Sequence, residues 1–187
     1  MKRIILLAAC TAPLLGSCVI AVGNDGIGDN HWQYQGDVDK AICVINGTAG
    51  NENVRGTVTF TESHDGVMVE ARITGLTPGA HGFHVHQYGD LSSTDGKSAG
   101  GHYNPEGHEH SGPHATRRHI GDLGNLVADA NGIAEYSRFD HELELDGPHS
   151  IIGRGVIVHA GEDDLMSQPT GNAGARVGYG VIGVAKN

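Results

Sequence analysis

Thirteen histidines in a chain of 187 residues are the first feature with chemical consequence. A neutral imidazole binds transition metals through either ring nitrogen. The run Gly82-Phe83-His84-Val85-His86 places two of them two residues apart, and on a strand positions i and i+2 share a face. Both rings can then reach one ion while Phe83 and Val85 turn to an opposite, apolar side. Eighteen residues after His84 comes His102, followed by His108, His110, His114, His119 and Asp122. Three imidazoles and a carboxylate from this stretch make a closed four-coordinate set suited to zinc. His159 ends the apolar run Val156-Ile157-Val158, where a polar ring is costly unless it is hydrogen-bonded or ligating. The competing explanation is a solvated surface for the loop histidines and a hydrogen-bonded core residue for His159.

The elements that must position these groups are short strands separated by glycine-rich turns. Val67, Val69, Ala71 and Ile73 alternate with polar neighbours, the period of a strand with one buried face. Further strands are predicted over 41–45, 54–61, 80–88, 132–139, 151–159 and 177–185. No helical period is present. Short strands with many turns predict an all-β sandwich or barrel. Two long stretches lack strand texture, 89–121 and 160–176, and long loops inside a compact domain are usually functional. Each follows a histidine-bearing strand.

Composition narrows the function classes. With 12 Lys plus Arg against 22 Asp plus Glu, the formal charge of −10 and the lack of a basic cluster argue against nucleic acid as a partner. No run of eighteen apolar residues exists, so no helical membrane span is predicted. Lys2 and Arg3 precede an apolar run, and Leu15-Gly16-Ser17-Cys18 resembles the lipobox of bacterial lipoproteins. The expected organisation is a signal peptide over 1–17, a flexible tether over 18–36 after a lipidated Cys18, and one domain over 37–187. Trp32 and Tyr34 would mark where order begins. Loss of Lys2 and Arg3 takes the formal charge to −12. The expected location is outside the cytoplasm, periplasmic or in the cell envelope, with the membrane met only through the lipid. Cys10 leaves with the signal and Cys18 carries lipid, so Cys43 cannot form an intrachain disulfide and reads as a small buried hydrophobe.

Several spaced motifs in order resemble the copper/zinc superoxide dismutases, chiefly their dimeric branch. They are Gly79-Ala80-His81-Gly82-Phe83-His84-Val85-His86, Gly100-Gly101-His102-Tyr103-Asn104-Pro105, and Arg118-His119-Ile120-Gly121-Asp122-Leu123-Gly124-Asn125. Ile151-Ile152-Gly153-Arg154 and Gly171-Asn172-Ala173-Gly174-Ala175-Arg176 complete the set. The similarity runs from about residue 41 to 185. That family is itself an example of the β-sandwich architecture, so the resemblance corroborates the β reading rather than testing it.

The resemblance implies an eight-stranded Greek-key barrel with two long functional loops, copper and zinc as cofactors, and superoxide as substrate. It assigns His84, His86, His102 and His159 to copper and His102, His110, His119 and Asp122 to zinc, with His102 bridging. His108 and His114 fall outside the pattern and are expected to be solvated. His81 matches a structural histidine near the site. Asp163 matches a carboxylate linking the two metal sites through their histidines. Arg176 matches an arginine beside copper that holds the anion. A homodimer is expected from Ile151-Ile152-Gly153-Arg154 and Gly183-Val184-Ala185.

Two departures stand out. The family's intrasubunit disulfide positions read Gly96 and Tyr179 here, so a cross-link worth roughly 4–5 kcal/mol in the chain-entropy model is replaced by metal binding, the Tyr179 ring or dimer contacts. The loop from Asp164 to Thr170 is short and lacks the family's usual steering charges. Competing readings are a copper or zinc carrier on this scaffold, which has no need of Arg176, and a copper-only relative, which has no need of His110, His119 and Asp122.

Overall fold

A computed structural model describes residues 38–186; the signal peptide, Cys18 and the tether expected from the sequence lie outside them. Eight strands follow in order: β1 Lys40–Gly47, β2 Arg55–Ser63, β3 Gly66–Thr74, β4 Gly79–His86, β5 Asp122–Ala128, β6 Ala134–Asp140, β7 Gly155–His159 and β8 Arg176–Val184. They pair antiparallel in a closed barrel, β1-β2-β3-β6-β5-β4-β7-β8, with β8 returning to β1. Closure removes the exposed edges that an open sheet of this size would present.

Alternation selects the inward faces. On β1, Ala41, Cys43 and Ile45 are fully buried while Ile42 and Val44 face outward. Val58 and Phe60 on β2 and Val67, Val69, Ala71 and Ile73 on β3 complete this side of the core. On β4, Phe83 and Val85 join the same core, which turns His84 and His86 to the barrel's outer surface. Those two rings are nevertheless 0% exposed, because residues 87–121 and 160–175 supply groups that cover them.

The sequence reading misses one strand and overextends another. β5 carries Gly124 at φ 77 next to Asn125, which breaks the alternation on which the strand prediction rests. Residues 151–154 are not part of β7. Arg154 N–H donates to the Ile151 carbonyl at 3.1 Å, closing a turn with Gly153 at φ 79. Only the five buried residues of β7 remain paired. A third long connection, 141–154, joins β6 to β7.

The β5–β6 seam pairs at only one position, Ala128 with Ala134. Tyr136 spans it by donating to the Leu123 carbonyl at 2.9 Å. Nearby, buried Arg118 forks onto Asp140 at 2.6 and 2.7 Å and donates to the carbonyls of His119, Ile120 and Asp122. Both terminal nitrogens of the guanidinium are satisfied in this way, while Nε has no partner among the described residues. Its effect is local: it fixes the turn that delivers His119 and Asp122.

Candidate metal centre

Two four-residue groups on the outer face of β4 bring potential ligand atoms within 4.8 Å of one another. The first contains His84 and His86 from β4, His102 from the 87–121 loop and His159 from the end of β7. The second contains His102, His110 and His119 from that loop and Asp122 from the start of β5. His102 is common to both. All seven side chains are buried.

The tautomers follow from the partners. A carboxylate or carbonyl oxygen only accepts, so the ring nitrogen facing it carries the proton. His84 Nε2 donates to Asp163 Oδ2 at 2.7 Å, His86 Nδ1 to the Gly100 carbonyl at 2.9 Å, and His159 Nδ1 to the Gly174 carbonyl at 3.1 Å. Their other nitrogens, with His102 Nε2, are buried and without a hydrogen-bond partner. Four inward lone pairs with nothing to accept are costly unless a cation receives them. This donor set fits copper or zinc, since imidazole suits both.

Burial pushes His84 down to about 3, against the opposing pull of Asp163, and His159 down to about 4. Burial likewise lowers His86 and His102. The first group is therefore neutral at physiological pH, the protonation state a metal ligand needs.

The second group is charged instead. Asp122 Oδ1 stands 2.7 Å from His102 Nδ1, 3.0 Å from His110 Nδ1 and 3.2 Å from His119 Nδ1. Burial would raise the Asp122 carboxyl, but the His102, His110 and His119 rings around it hold it well below the usual carboxylate range. Burial also opposes charge on His110, yet Asp122 and Asp163 outweigh it and push that ring up to about 9. An oxygen among three nitrogens is a donor set for zinc.

Asp163 joins the groups: Oδ2 accepts from His84 and Oδ1 lies 2.9 Å from His110 Nε2. His81 is buried with Nδ1 2.7 Å from the His159 carbonyl and Nε2 2.8 Å from that of Thr77, so it ties the end of β7 to β4. Two residues with no role in the sequence reading hold Asp163 in place. Asn125 binds its backbone reciprocally, accepting from Asp163 N–H at 2.8 Å and donating to its carbonyl at 2.9 Å. At Gly171 a Cβ would stand 1.8 Å from Asp163 Oδ1. Asn125 and Gly171 both lie in recognisable motifs, but what each must accommodate is visible only in three dimensions.

A cleft of about 450 Å³ opens onto the first group, lined by His86, His159, Arg176, Lys97 and Asp95 among others. Arg176 is half-buried; Nη1 donates to the Gly96 carbonyl and Nη2 to that of Gly100, each at 2.6 Å. At Gly96 the atoms nearest a side chain would be Arg176 Cδ at 3.5 Å, Arg176 Cβ at 3.6 Å and Ile157 Cδ1 at 3.7 Å. Arg176 therefore packs against Gly96, one of the two positions that the family's disulfide occupies. His114 is exposed. His108 is not solvated as expected: it is part-buried, with Nδ1 3.2 Å from the Arg118 carbonyl and its backbone held by Asn104.

The family model described as copper/zinc superoxide dismutase (SODC) matches residues 54–182. Superoxide dismutase [Cu-Zn] 2 of Mesembryanthemum crystallinum is 52% identical over 155 residues, 79% of this chain and 96% of that protein. The extracellular superoxide dismutase [Cu-Zn] of Onchocerca volvulus is 48% identical over 158 residues, 78% of this chain and 76% of that protein. Among solved structures, the clock protein EA4 aligns with a TM-score of 0.74 and 45% identity, over 80% of this chain and 97% of that one. A closed eight-stranded barrel bearing two joined histidine groups and these relatives establish that the chain belongs to the copper/zinc superoxide dismutase family, enzymes that use copper and zinc to dismutate superoxide.

Proposed function

We propose that His84, His86, His102 and His159 hold copper, and that His102, His110, His119 and Asp122 hold zinc. The four unpartnered imidazole nitrogens of the first group carry this reading. Copper bound there would supply a one-electron couple, and zinc, which has no redox chemistry, would supply none. The chain's own groups do the rest. Arg176 keeps its charge at any physiological pH and presents it to the cleft beside His86 and His159, where it holds the superoxide anion. His102 keeps its ring in place through Nδ1 on the Asp122 side, leaving Nε2 on the other side to take up a proton and return it. Over a full cycle two superoxides and two protons become dioxygen and hydrogen peroxide.

Stopped-flow superoxide decay with protein of known copper and zinc content tests this. Near diffusion-limited decay is expected. Full occupancy with decay no faster than buffer would leave a metal carrier on the same scaffold.

Export through residues 1–17 and lipid attachment at Cys18 complete the reading, supported by the lipobox-like Leu15-Gly16-Ser17-Cys18 and by a relative named as extracellular. Labelled fatty acid should enter the wild-type chain and not Cys18→Ala. A homodimer is supported by apolar side chains left exposed near residues 151–154 and 183–185. Tyr88, Ile42 and Val44 are exposed, the Gly153 N–H donates to the Ile182 carbonyl, and Ile42 pairs with Gly183. Sedimentation that shows only monomer at micromolar concentration counts against it.

A further inference from the structure

We propose that Gln168 is a positioning residue for the second metal group, acting as a clamp on His110. This rests on the reading of His110 as a zinc ligand. Gln168 Oε1 accepts the His110 N–H at 2.8 Å, and Gln168 Nε2 donates to the His110 carbonyl at 2.8 Å, across 58 residues. One primary amide thus satisfies both backbone groups of a residue in the middle of the 87–121 loop. Asn125 treats Asp163 in the same way. Asp163 in turn faces His110 Nε2, so the ring is held at its tip and the backbone at its root.

The segment that carries Gln168 is built to keep it there. Asp164 Oδ1 accepts the N–H groups of Met166 and Ser167 at 3.0 and 2.7 Å, and its Oδ2 accepts the Ser167 hydroxyl at 2.6 Å. The Gly171 N–H donates to the Ser167 carbonyl and the Asp164 N–H to that of Gly171, closing the loop at its base. Gln168 Nε2 also reaches the Met166 carbonyl at 3.1 Å. The short loop between Asp164 and Thr170 thus braces the loop opposite. Without the clamp, His110 keeps its ring partners but its backbone is free to drift. An imidazole ligand on a mobile backbone lets go of its ion more often.

The test is the rate at which the copper- and zinc-loaded protein gives up each metal to excess chromogenic chelator. Gln168→Ala should release zinc about 10-fold faster or more, with copper release unchanged. Gln168→Glu keeps the acceptor for the His110 N–H and loses the donor, and should fall between. Met166→Ala, in the same loop with an exposed side chain, should match the wild type. Cobalt(II) placed in the zinc site of Gln168→Ala should show an altered visible spectrum. Zinc release from Gln168→Ala within twofold of wild type overturns the clamp, as does equal acceleration in Met166→Ala or equal acceleration of both metals. If Gln168→Ala fails to fold, Gln168→Glu decides by the same criterion. A wild-type protein that retains no zinc would instead sink the ligand assignment on which the clamp rests.

Discussion

His86 and Arg176 donate to the same oxygen: the Gly100 carbonyl accepts His86 Nδ1 at 2.9 Å and Arg176 Nη2 at 2.6 Å. A histidine of the first group and the cation beside it are therefore set by one backbone atom. Arg176→Lys keeps the charge but cannot fork onto Gly96 and Gly100 together. Arg176→Ala should lower the rate of superoxide decay by roughly 10- to 100-fold and make the peptide bonds around Gly96 sensitive to limited proteolysis. Arg176→Lys should recover part of the rate and little of the protection. Stopped-flow and a protease time course read the two effects separately, and wild-type protection in both variants would refute the shared anchoring.

Gly171→Ala should behave like loss of the Asp163 carboxylate. A methyl group 1.8 Å from Asp163 Oδ1 cannot be accommodated without moving it, and Gly171 sits at φ 68 besides. Zinc affinity should drop by about 10- to 100-fold, as it should in Asp163→Ala. Competition with a chelator of known affinity measures both. A Gly171→Ala protein with wild-type zinc affinity would show that the carboxylate has room to retreat.

The cleft mouth carries an exposed ion pair, Lys97 Nζ to Asp95 Oδ2 at 2.8 Å. Against a strongly negative chain, local charge at the mouth governs anion capture. Asp95→Asn should raise the second-order rate at low salt and Lys97→Glu should lower it, by up to about tenfold. The differences should vanish near 1 M salt, where the Debye length is about 3 Å. Rates that stay apart at high salt would point to contact with the anion rather than steering.

Metal content should dominate thermal stability. The described residues contain no disulfide, and each site bound at about a thousand times its Kd adds about 4 kcal/mol. At about 2–4 °C per kcal/mol for a domain of this size, the loaded protein should melt more than about 15 °C above the chelated one. Calorimetry with and without chelator measures the gap, and similar melting temperatures would contradict it.

Cys43 lies on β1 with no exposed surface, and burial pushes its thiol up to about 12 despite the opposing Val156 backbone hydrogen bond. A raised thiol pKa keeps the group protonated, and so unreactive, at every pH below that value. In protein truncated after Cys18, where Cys43 is the one cysteine left, the native state should not react with a disulfide reagent at pH 8, and should release one equivalent on unfolding. Reaction in the native state would mean that β1 opens.

What the sequence discloses and what it hides divide along the distance between partners. The pairing of His84 with His86 is legible because strand alternation is local. The core faces of β1 to β3 are legible for the same reason. β5 is not, since Gly124 and Asn125 interrupt the period, and residues 151–154 mislead because buried Ile151 sits in a turn. Asp163 lies 79 residues from His84 and 53 from His110, so no local pattern joins them, and only the family resemblance pointed to the link. Gln168 offers neither alternation nor motif; its partner is identified only by the fold.

Cys43 stands alone among the cysteines of residues 38–186 and is sealed within the barrel. The covalent connectivity of this domain is therefore complete once the chain has been synthesised. No thiol oxidase, disulfide isomerase or particular thiol–disulfide balance in its surroundings is required for it to reach its native topology. Maturation of residues 38–186 then reduces to one supply problem, the delivery of metal.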